Sequence, residues 1–272
     1  MLIVIKGAGD LASGIALRLR HAGFDIAMTE IAEPLSVRRT VCFSQAVYSG
    51  SCEVEDLTAV LVKNEGEMQA AFAKGQIAVF IDPAAQIVRQ FRPAAVVDAI
   101  MAKKNTGTAI TDAPSVIGIG PGFTAGIDCH AIVETKRGHT LGRVITSGSA
   151  LPNTGVPGDI AGFTTERLLR SPADGVFEAL VSIADVVKKG DTVAMVHGKS
   201  GSSGDKESLP VKADMDGMIR GLLPSGIFVK QGIKAGDIDP RCERSHCFTV
   251  SDKALAIGGG VLEAVVQITN KK

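Results

Sequence analysis

Tryptophan is missing from the chain, and tyrosine occurs once among its 272 residues. Proteins that hold single-stranded nucleic acid stack bases on aromatic side chains, and little here could serve that purpose. Nor is there an excess of either charge, since 29 lysines and arginines stand against 29 aspartates and glutamates. A balanced chain projects no basic field toward nucleic acid or an anionic membrane. No apolar run reaches the roughly 20 residues that span a bilayer, and the opening residues read as a strand without a charged leader or small-residue cleavage site. The expectation is a cytoplasmic protein with neither nucleic acid nor membrane among its partners. Cysteines are few and odd in number (Cys42, Cys52, Cys129, Cys242, Cys247), which does not suit a secreted disulfide framework. They read as reduced thiols. Cys242 and Cys247 lie beside His246 at a spacing unlike paired C-x-x-C, so no metal site is expected.

What the chain has in quantity is glycine, 31 residues in clusters. The first cluster follows Leu2–Ile5, an apolar, β-branched run that reads as a buried strand. Gly7-x-Gly9-x-x-Ala12 fits the dinucleotide-binding form, in which one glycine makes the turn, the next admits a pyrophosphate, and a small residue lets helix and strand pack. A helix running to Gly23 and a second strand over residues 25–29 deliver Glu30 where a ribose-binding acid is expected. Asp10 disagrees, because a carboxylate at a helix start would repel phosphate; it reads either as part of the site or as a helix cap. Pro34 to Arg39 reads as a short helix whose Arg38 and Arg39 offer guanidinium groups to phosphate. Strand material at 52–62, a helix from Glu65, a strand at 77–82, a helix from Ala85 and a strand at 95–98 continue the alternation to about Lys104.

The expected fold class is α/β, with a Rossmann-like parallel sheet domain followed by a β-rich region. The parallel domain spans residues 1–104, and a glycine-rich central β region occupies 105–170. There Gly118, Gly120 and Gly122 alternate around Pro121, a pattern that lets backbone amides converge on an anion. Asp112, Asp128, Cys129 and His130 accompany this loop, and a second glycine loop runs from Ser147 to Gly158. Residues 171–238 carry an internal repeat. Asp174-Gly175, Leu180 and Val187-Lys188 recur 42 positions later as Asp216-Gly217, Leu222 and Val229-Lys230. Each half has the texture of half a barrel-sandwich hybrid, like biotinyl and lipoyl domains. Lys199 and Lys206 between the halves lack the tight hairpin of a carrier lysine, so a structural or docking module is expected. The segment 239–272 would pack back on the core, with Ser251 capping a helix that Gly258, Gly259 and Gly260 should break or kink.

Gly7-Ala-Gly9-Asp10, Pro34 with Arg38-Arg39, Gly118 to Gly122 with Phe123, Asp128-Cys129-His130, Pro152-Asn-Thr-Gly155, and Ser251-Asp-Lys253 with Gly258 to Gly260 together resemble the YqeB-type family. That family is assigned to the selenium-dependent molybdenum hydroxylase system. The resemblance implies an accessory role in maturing such a hydroxylase, by analogy with the accessory factors of xanthine dehydrogenase. Its partners would be the hydroxylase or its other maturation factors, and a homo-oligomer is left open. The chemistry would need a soft thiol or selenol carrier, a site for an anionic pterin phosphate or NAD(P)-like nucleotide, and a docking surface. The catalytic candidates are Cys129, His130, Cys247, Asp112 and Asp128. The ligand-binding candidates are Gly7, Gly9, Asp10, Ala12, Glu30, Arg38, Arg39 and the two later glycine clusters. Two alternatives stand beside this: a nicotinamide-dependent oxidoreductase with Glu30 on the ribose and His130 as acid, or a non-enzymatic scaffold.

Overall fold

The computed structural model describes residues 1–153, 155, 158–198 and 208–269. The chain forms two compact units, one of Met1–Pro34, Val41–Thr154 and Val250–Lys272, the other of Leu35–Thr40 and Gly155–Thr249.

The first unit is built on nine strands: β1 (Leu2–Lys6), β2 (Asp25–Glu30), β3 (Ser51–Val54), β4 (Leu57–Leu61), β5 (Ile77–Ile81), β6 (Ala95–Asp98), β7 (Ser115–Ile119), β8 (Ala131–Val133) and β9 (Val144–Ile145). Their order is β3-β4-β5-β2-β1-β6-β7-β8-β9. Four helices, α1 (Asp10–His21), α2 (Ala46–Ser49), α3 (Glu65–Ala73) and α4 (Ile87–Phe91), lie between strands, and a C-terminal helix covers Asp252–Thr269. Alternation along β1 sends Ile3 and Ile5 into a core shared with α1 and the C-terminal helix, and Val4 into one shared with α3 and α4. Both faces are therefore buried, which accounts for near-continuous apolar strands. Asn64 starts α3 by accepting the Glu67 amide at 2.9 Å, while the Glu67 carboxylate accepts the Lys63 amide at 2.9 Å.

The strands from β4 to β8 run parallel, but β3 is antiparallel to β4 and β9 is antiparallel to β8. The expected Rossmann-like parallel domain is therefore corrected to a large mixed sheet. Its strands β7 to β9, and the helix that covers one face, lie beyond residue 104. One reason is local. The stretch 52–62 folds as a hairpin because Glu55, at φ 55°, and Asp56 form a turn between β3 and β4. A second correction concerns Pro34 to Arg39, where the expected helix is replaced by a single 3-10 turn at Arg39–Val41.

A third correction is at Gly258 to Gly260. The C-terminal helix runs through them unbroken, starting from Ser251, whose hydroxyl accepts the Ala254 amide at 3.2 Å. Small residues are needed because this helix lies directly on α1: a methyl on Gly258 would stand 2.7 Å from the Gly14 carbonyl oxygen.

The second unit consists of β10 (Leu168–Arg170), β11 (Gly175–Ala179), β12 (Val186–Val187), β13 (Thr192–His197), β14 (Ser208–Lys212), β15 (Gly217–Leu222), β16 (Phe228–Val229) and β17 (Lys234–Asp239). They form two antiparallel four-stranded sheets, ordered β10-β17-β15-β12 and β14-β13-β11-β16. These two sheets stand where a barrel-sandwich-hybrid-like module was expected. The first sheet takes β12 from the first half of the repeat, beside β15, and the second takes β14 and β16 from the second half, beside β13 and β11. The ion pairs obey the same exchange, with Lys188 on Asp216 at 3.1 Å and Lys230 on Asp174 at 2.9 Å. Lys199 and Lys206 lie outside the described residues, as do Thr154 and Pro157 of the second glycine loop.

Candidate functional site

In the first unit the sheet grows outward from β1 in two directions, to β2 on one side and to β6 on the other. Where strand order reverses in this way, the loops leaving the carboxyl ends diverge and open a crevice. The residue closing β1 is Lys6. Its position on the Val4 face would be apolar in a plain strand, yet it is an ammonium only 7% exposed. A buried ammonium needs partners. Lys6 Nζ donates to Thr108 Oγ1 at 2.8 Å and to the Asp112 carboxylate at 3.2 Å. Thr108 Oγ1 in turn donates to Asp98 Oδ2 at 2.6 Å, and Asp98, the last residue of β6, is the strand partner of Lys6.

The loop that brings Thr108 and Asp112 over the strand ends is shaped by Asn105. Asn105 Oδ1 accepts the amides of Gly107 and Thr108, and Nδ2 donates to the Thr108 carbonyl and to Asp128 Oδ1 at 3.2 Å. Beside Lys6 lies a cleft of about 690 Å³, lined also by Ala85, Gln86, Arg89, Gly107 and Asp112. A neighbouring cleft of about 720 Å³ shares Val88, Arg89 and Asp112 and adds Arg92 and Pro93. These volumes suit a small molecule. The ionisable groups lining the two clefts are Lys6, Arg89 and Arg92 against one carboxylate, Asp112. Two of the lining residues hold left-handed backbone without being glycine, Ala85 at φ 50° and Arg92 at φ 46°. Such conformations cost on the order of 1–3 kcal/mol each and cluster at binding sites.

The opening glycine loop is occupied by the protein itself. Gly7 turns at φ 91°, and a side chain there would meet the Ala99 carbonyl at 3.1 Å. Glu30 accepts the Ala8 amide at 3.0 Å with one carboxylate oxygen and the Ile31 amide at 2.8 Å with the other. It thus caps the loop, and both oxygens already accept before any ribose arrives. Gly9 is the N-cap of α1, Asp10 its half-buried first residue, and Ala12 is buried in the core between α1 and the sheet. Lys253, in the first turn of the C-terminal helix, stands within the electrostatic reach of Asp10 and Glu134. Burial first, then Arg137, holds its amine below the usual lysine range, against the pull of those carboxylates.

The later glycine clusters are close-packing positions. A methyl on Gly118 would stand 2.7 Å from the Phe123 ring, on Gly120 2.6 Å from Thr135 Oγ1, and on Gly122 2.8 Å from the Lys104 amide nitrogen. Gly260 faces the Gly142 backbone in the same manner, whereas Gly259 faces open space. The expectation that these two clusters bind a ligand is corrected accordingly: five of these six glycines meet protein atoms. Arg38 and Arg39 belong to the second unit, where Arg38 donates to the carbonyls of His246 and Thr249 at 3.0 and 3.1 Å and Arg39 to that of Leu222 at 2.8 Å.

Of the catalytic candidates, Asp112 is part of the Lys6 network and Asp128 joins it through Asn105. Asp128 also accepts the Thr124 amide. Cys129 and His130 immediately precede β8, and the Cys129 thiol lies within reach of the Gly118 backbone and of the Asp98 charge. His130 Nδ1 accepts the Val116 amide at 3.0 Å. Burial pushes the Cys129 thiol up to about 11, with the Asp128 charge adding to it against backbone hydrogen bonds. Cys247, in the second unit, is also buried, and burial raises its thiol against the opposing charges of Arg220 and Arg38. Both are protonated at neutral pH, the state of a packed thiol rather than a nucleophile. Among the described residues no group of three or more His, Cys, Asp or Glu side chains is placed to hold a metal, and no helix is long and apolar enough to cross a membrane.

No family model matches the chain. Over 270 residues, 99% of its length, it is 50% identical to the uncharacterized protein YqeB of Escherichia coli strain K12. It spans about half of that relative, 48% of its length. Solved structures with some likeness include an aspartoacylase family protein from Mesorhizobium loti, 14% identical over 87% of this chain and 84% of that one, with a TM-score of 0.32. Another is a succinylglutamate desuccinylase from Silicibacter, 12% identical over the same shares, with a TM-score of 0.27. Likeness at this level transfers neither fold nor activity.

Lys6, Thr108, Asn105, Arg89 and Arg92 are the site residues that sequence reasoning missed. One signal was available: a lysine and an aspartate each ending an apolar strand.

Proposed function

We propose that this YqeB-like chain is an accessory protein in the maturation of a selenium-dependent molybdenum hydroxylase, and that its first unit holds a phosphorylated ligand of pterin or nucleotide type in the cleft beside Lys6. The observation that carries the ligand half of this reading is the charge of the walls, two cations (Lys6, Arg89) to one carboxylate in this cleft, with Arg92 added in its neighbour. A phosphate entering there would meet Arg89 as a planar donor and Lys6 as a point charge held in place by Thr108 and Asp112. The accessory half rests on the YqeB resemblance over nearly the whole chain. The occupied carboxylate of Glu30 favours this cleft over a nicotinamide dinucleotide laid across the glycine loop.

Thermal-shift titration with pterin monophosphates, nucleoside phosphates and their dephosphorylated counterparts tests the reading. Stabilisation by a phosphorylated member alone is expected, since a ligand at 100 times its Kd adds about 2.7 kcal/mol to the folded state. Arg89→Met, an exposed change, should weaken that shift, and Lys6→Met should abolish it. A shift unchanged in both variants would reject the cleft as the site.

A further inference from the structure

The outer face of one sheet of the second unit carries a feature that the proposed ligand site does not use. Alternation along β11 turns Phe177 inward and Val176 and Glu178 outward; along β13 it buries Val196 and turns Met195 and His197 outward. The strand register then places Phe228, Val176, His197 and Ser208 in one row across β16, β11, β13 and β14. In that row His197 Nδ1 lies 2.8 Å from Ser208 Oγ, and His197 Nε2 lies 2.7 Å from the Glu178 carboxylate. An ionised carboxylate only accepts, so the neutral ring carries its proton on Nε2. That leaves Nδ1 as a base facing the hydroxyl. This is the hydroxyl, imidazole and carboxylate order of an activated serine, with the two ring nitrogens exchanged relative to the familiar serine-protease arrangement.

The repeat provides an internal control. The positions equivalent to Glu178 and His197, 42 residues on, are Arg220 and Asp239, an ion pair at 3.7 Å whose side chains are 9% and 2% exposed. Strand bridging there is done by two groups that do not exchange protons near neutral pH. On the first half the same positions hold a carboxylate and an imidazole with a hydroxyl beyond it, and the imidazole is 35% exposed. Outward-facing Val176 and Phe228, cross-strand partners in the same row, offer an apolar rest for a short acyl chain.

We propose that Ser208, His197 and Glu178 form an acyl-accepting site for small activated esters. Ser208 Oγ bonds to the acyl carbon as its proton passes to His197 Nδ1, and Glu178 steadies the imidazolium. The ester C–O bond then breaks, and the leaving oxygen takes that proton from His197. Water, deprotonated by the same nitrogen, releases the acid and restores Ser208.

A fluorophosphonate probe, which captures activated serines, is incubated with the full chain, followed by intact mass measurement and peptide mapping. One adduct per chain on Ser208 is expected, absent in Ser208→Ala and formed about 100-fold more slowly in His197→Gln, in line with the usual contribution of a general base. Glu178→Gln should slow it as well, because the carboxylate then no longer sets the tautomer. All three are substitutions of partly exposed side chains, and unchanged circular dichroism would show each variant folded. The proposal is overturned if Ser208 stays unlabelled, or if His197→Gln labels at the wild-type rate, which would make the three residues a strand bridge only.

Discussion

Gly258 and Gly259 are neighbours on one helix, and the structure gives them opposite roles. A methyl at Gly258 would stand 2.7 Å from the Gly14 carbonyl oxygen and 2.8 Å from Arg18 Cγ, where ordinary contact begins at 3.4 Å. The arginine stem can swing aside, but the backbone oxygen cannot, so α1 and the C-terminal helix must part by several tenths of an ångström. Overpacking of this kind costs about 1–3 kcal/mol. Replacing glycine by alanine inside a helix returns about 0.5–1 kcal/mol in backbone entropy. Gly258→Ala should therefore destabilise by about 1–2 kcal/mol, the two effects opposing each other. Gly259 has nothing within 4 Å of the added methyl. There only the gain remains, and Gly259→Ala should stabilise by about 0.5–1 kcal/mol. At about 2–4 °C per kcal/mol for a unit of this size, the pair should move the melting temperature in opposite directions, a contrast that urea denaturation would also resolve. Equal destabilisation by the two changes would refute the packing account of this glycine cluster. So would two neutral changes that both abolish ligand binding.

Two further outcomes follow from the chemistry of single groups. Burial opposes the charge on Asp239, but Arg241, through its side chain and amide, and the charge of Arg220 outweigh it and hold the carboxyl at about 2 against an ordinary 3.8. Because the folded value is the lower one, this group's contribution, about 2 kcal/mol, is present above pH 3.8 and lost as pH falls toward 2. Asp239→Asn should flatten the acid limb of a stability-against-pH curve in that window, and an unchanged limb would contradict the assignment. Iodoacetamide at neutral pH should label exposed Cys242 first, while Cys42, Cys129 and Cys247, all buried, react only on unfolding. Labelling of Cys129 or Cys247 ahead of Cys242, as read by peptide mass spectrometry, would return them to the list of reactive thiols.

The parts of the molecule that show in the sequence are those whose causes are local. Ile77–Ile81 and Ala95–Asp98 are short, apolar and β-branched, and such runs form strands wherever both faces are buried. The repeat shows because Gly175 and Gly217 each sit in a tight strand approach that admits no side chain, so the same residue recurs at the same offset. What does not show depends on distant partners. Gly258 reads like a ligand-binding glycine because the atom that requires it, the Gly14 oxygen, is more than 240 positions away. Glu30 shows in the sequence as the end of a strand, but the amides of Ala8 and Ile31 that its carboxylate accepts do not. The role of Lys6 does not show because its partners Thr108 and Asp112 arrive on a loop about 100 positions later. The antiparallel edge strands were missed for a smaller reason: a two-residue turn at Glu55-Asp56 contains no glycine or proline to announce it.

The cleft beside Lys6 is proposed to hold a phosphorylated molecule. The most direct test is to purify the full chain gently, denature it, and identify the released small molecules by mass spectrometry, alongside Lys6→Met and a Lys188→Met control in the second unit. A phosphorylated compound should be released near one per chain from the wild type and from Lys188→Met, and be absent from a folded Lys6→Met. The same compound released in equal amount by Lys6→Met would contradict it.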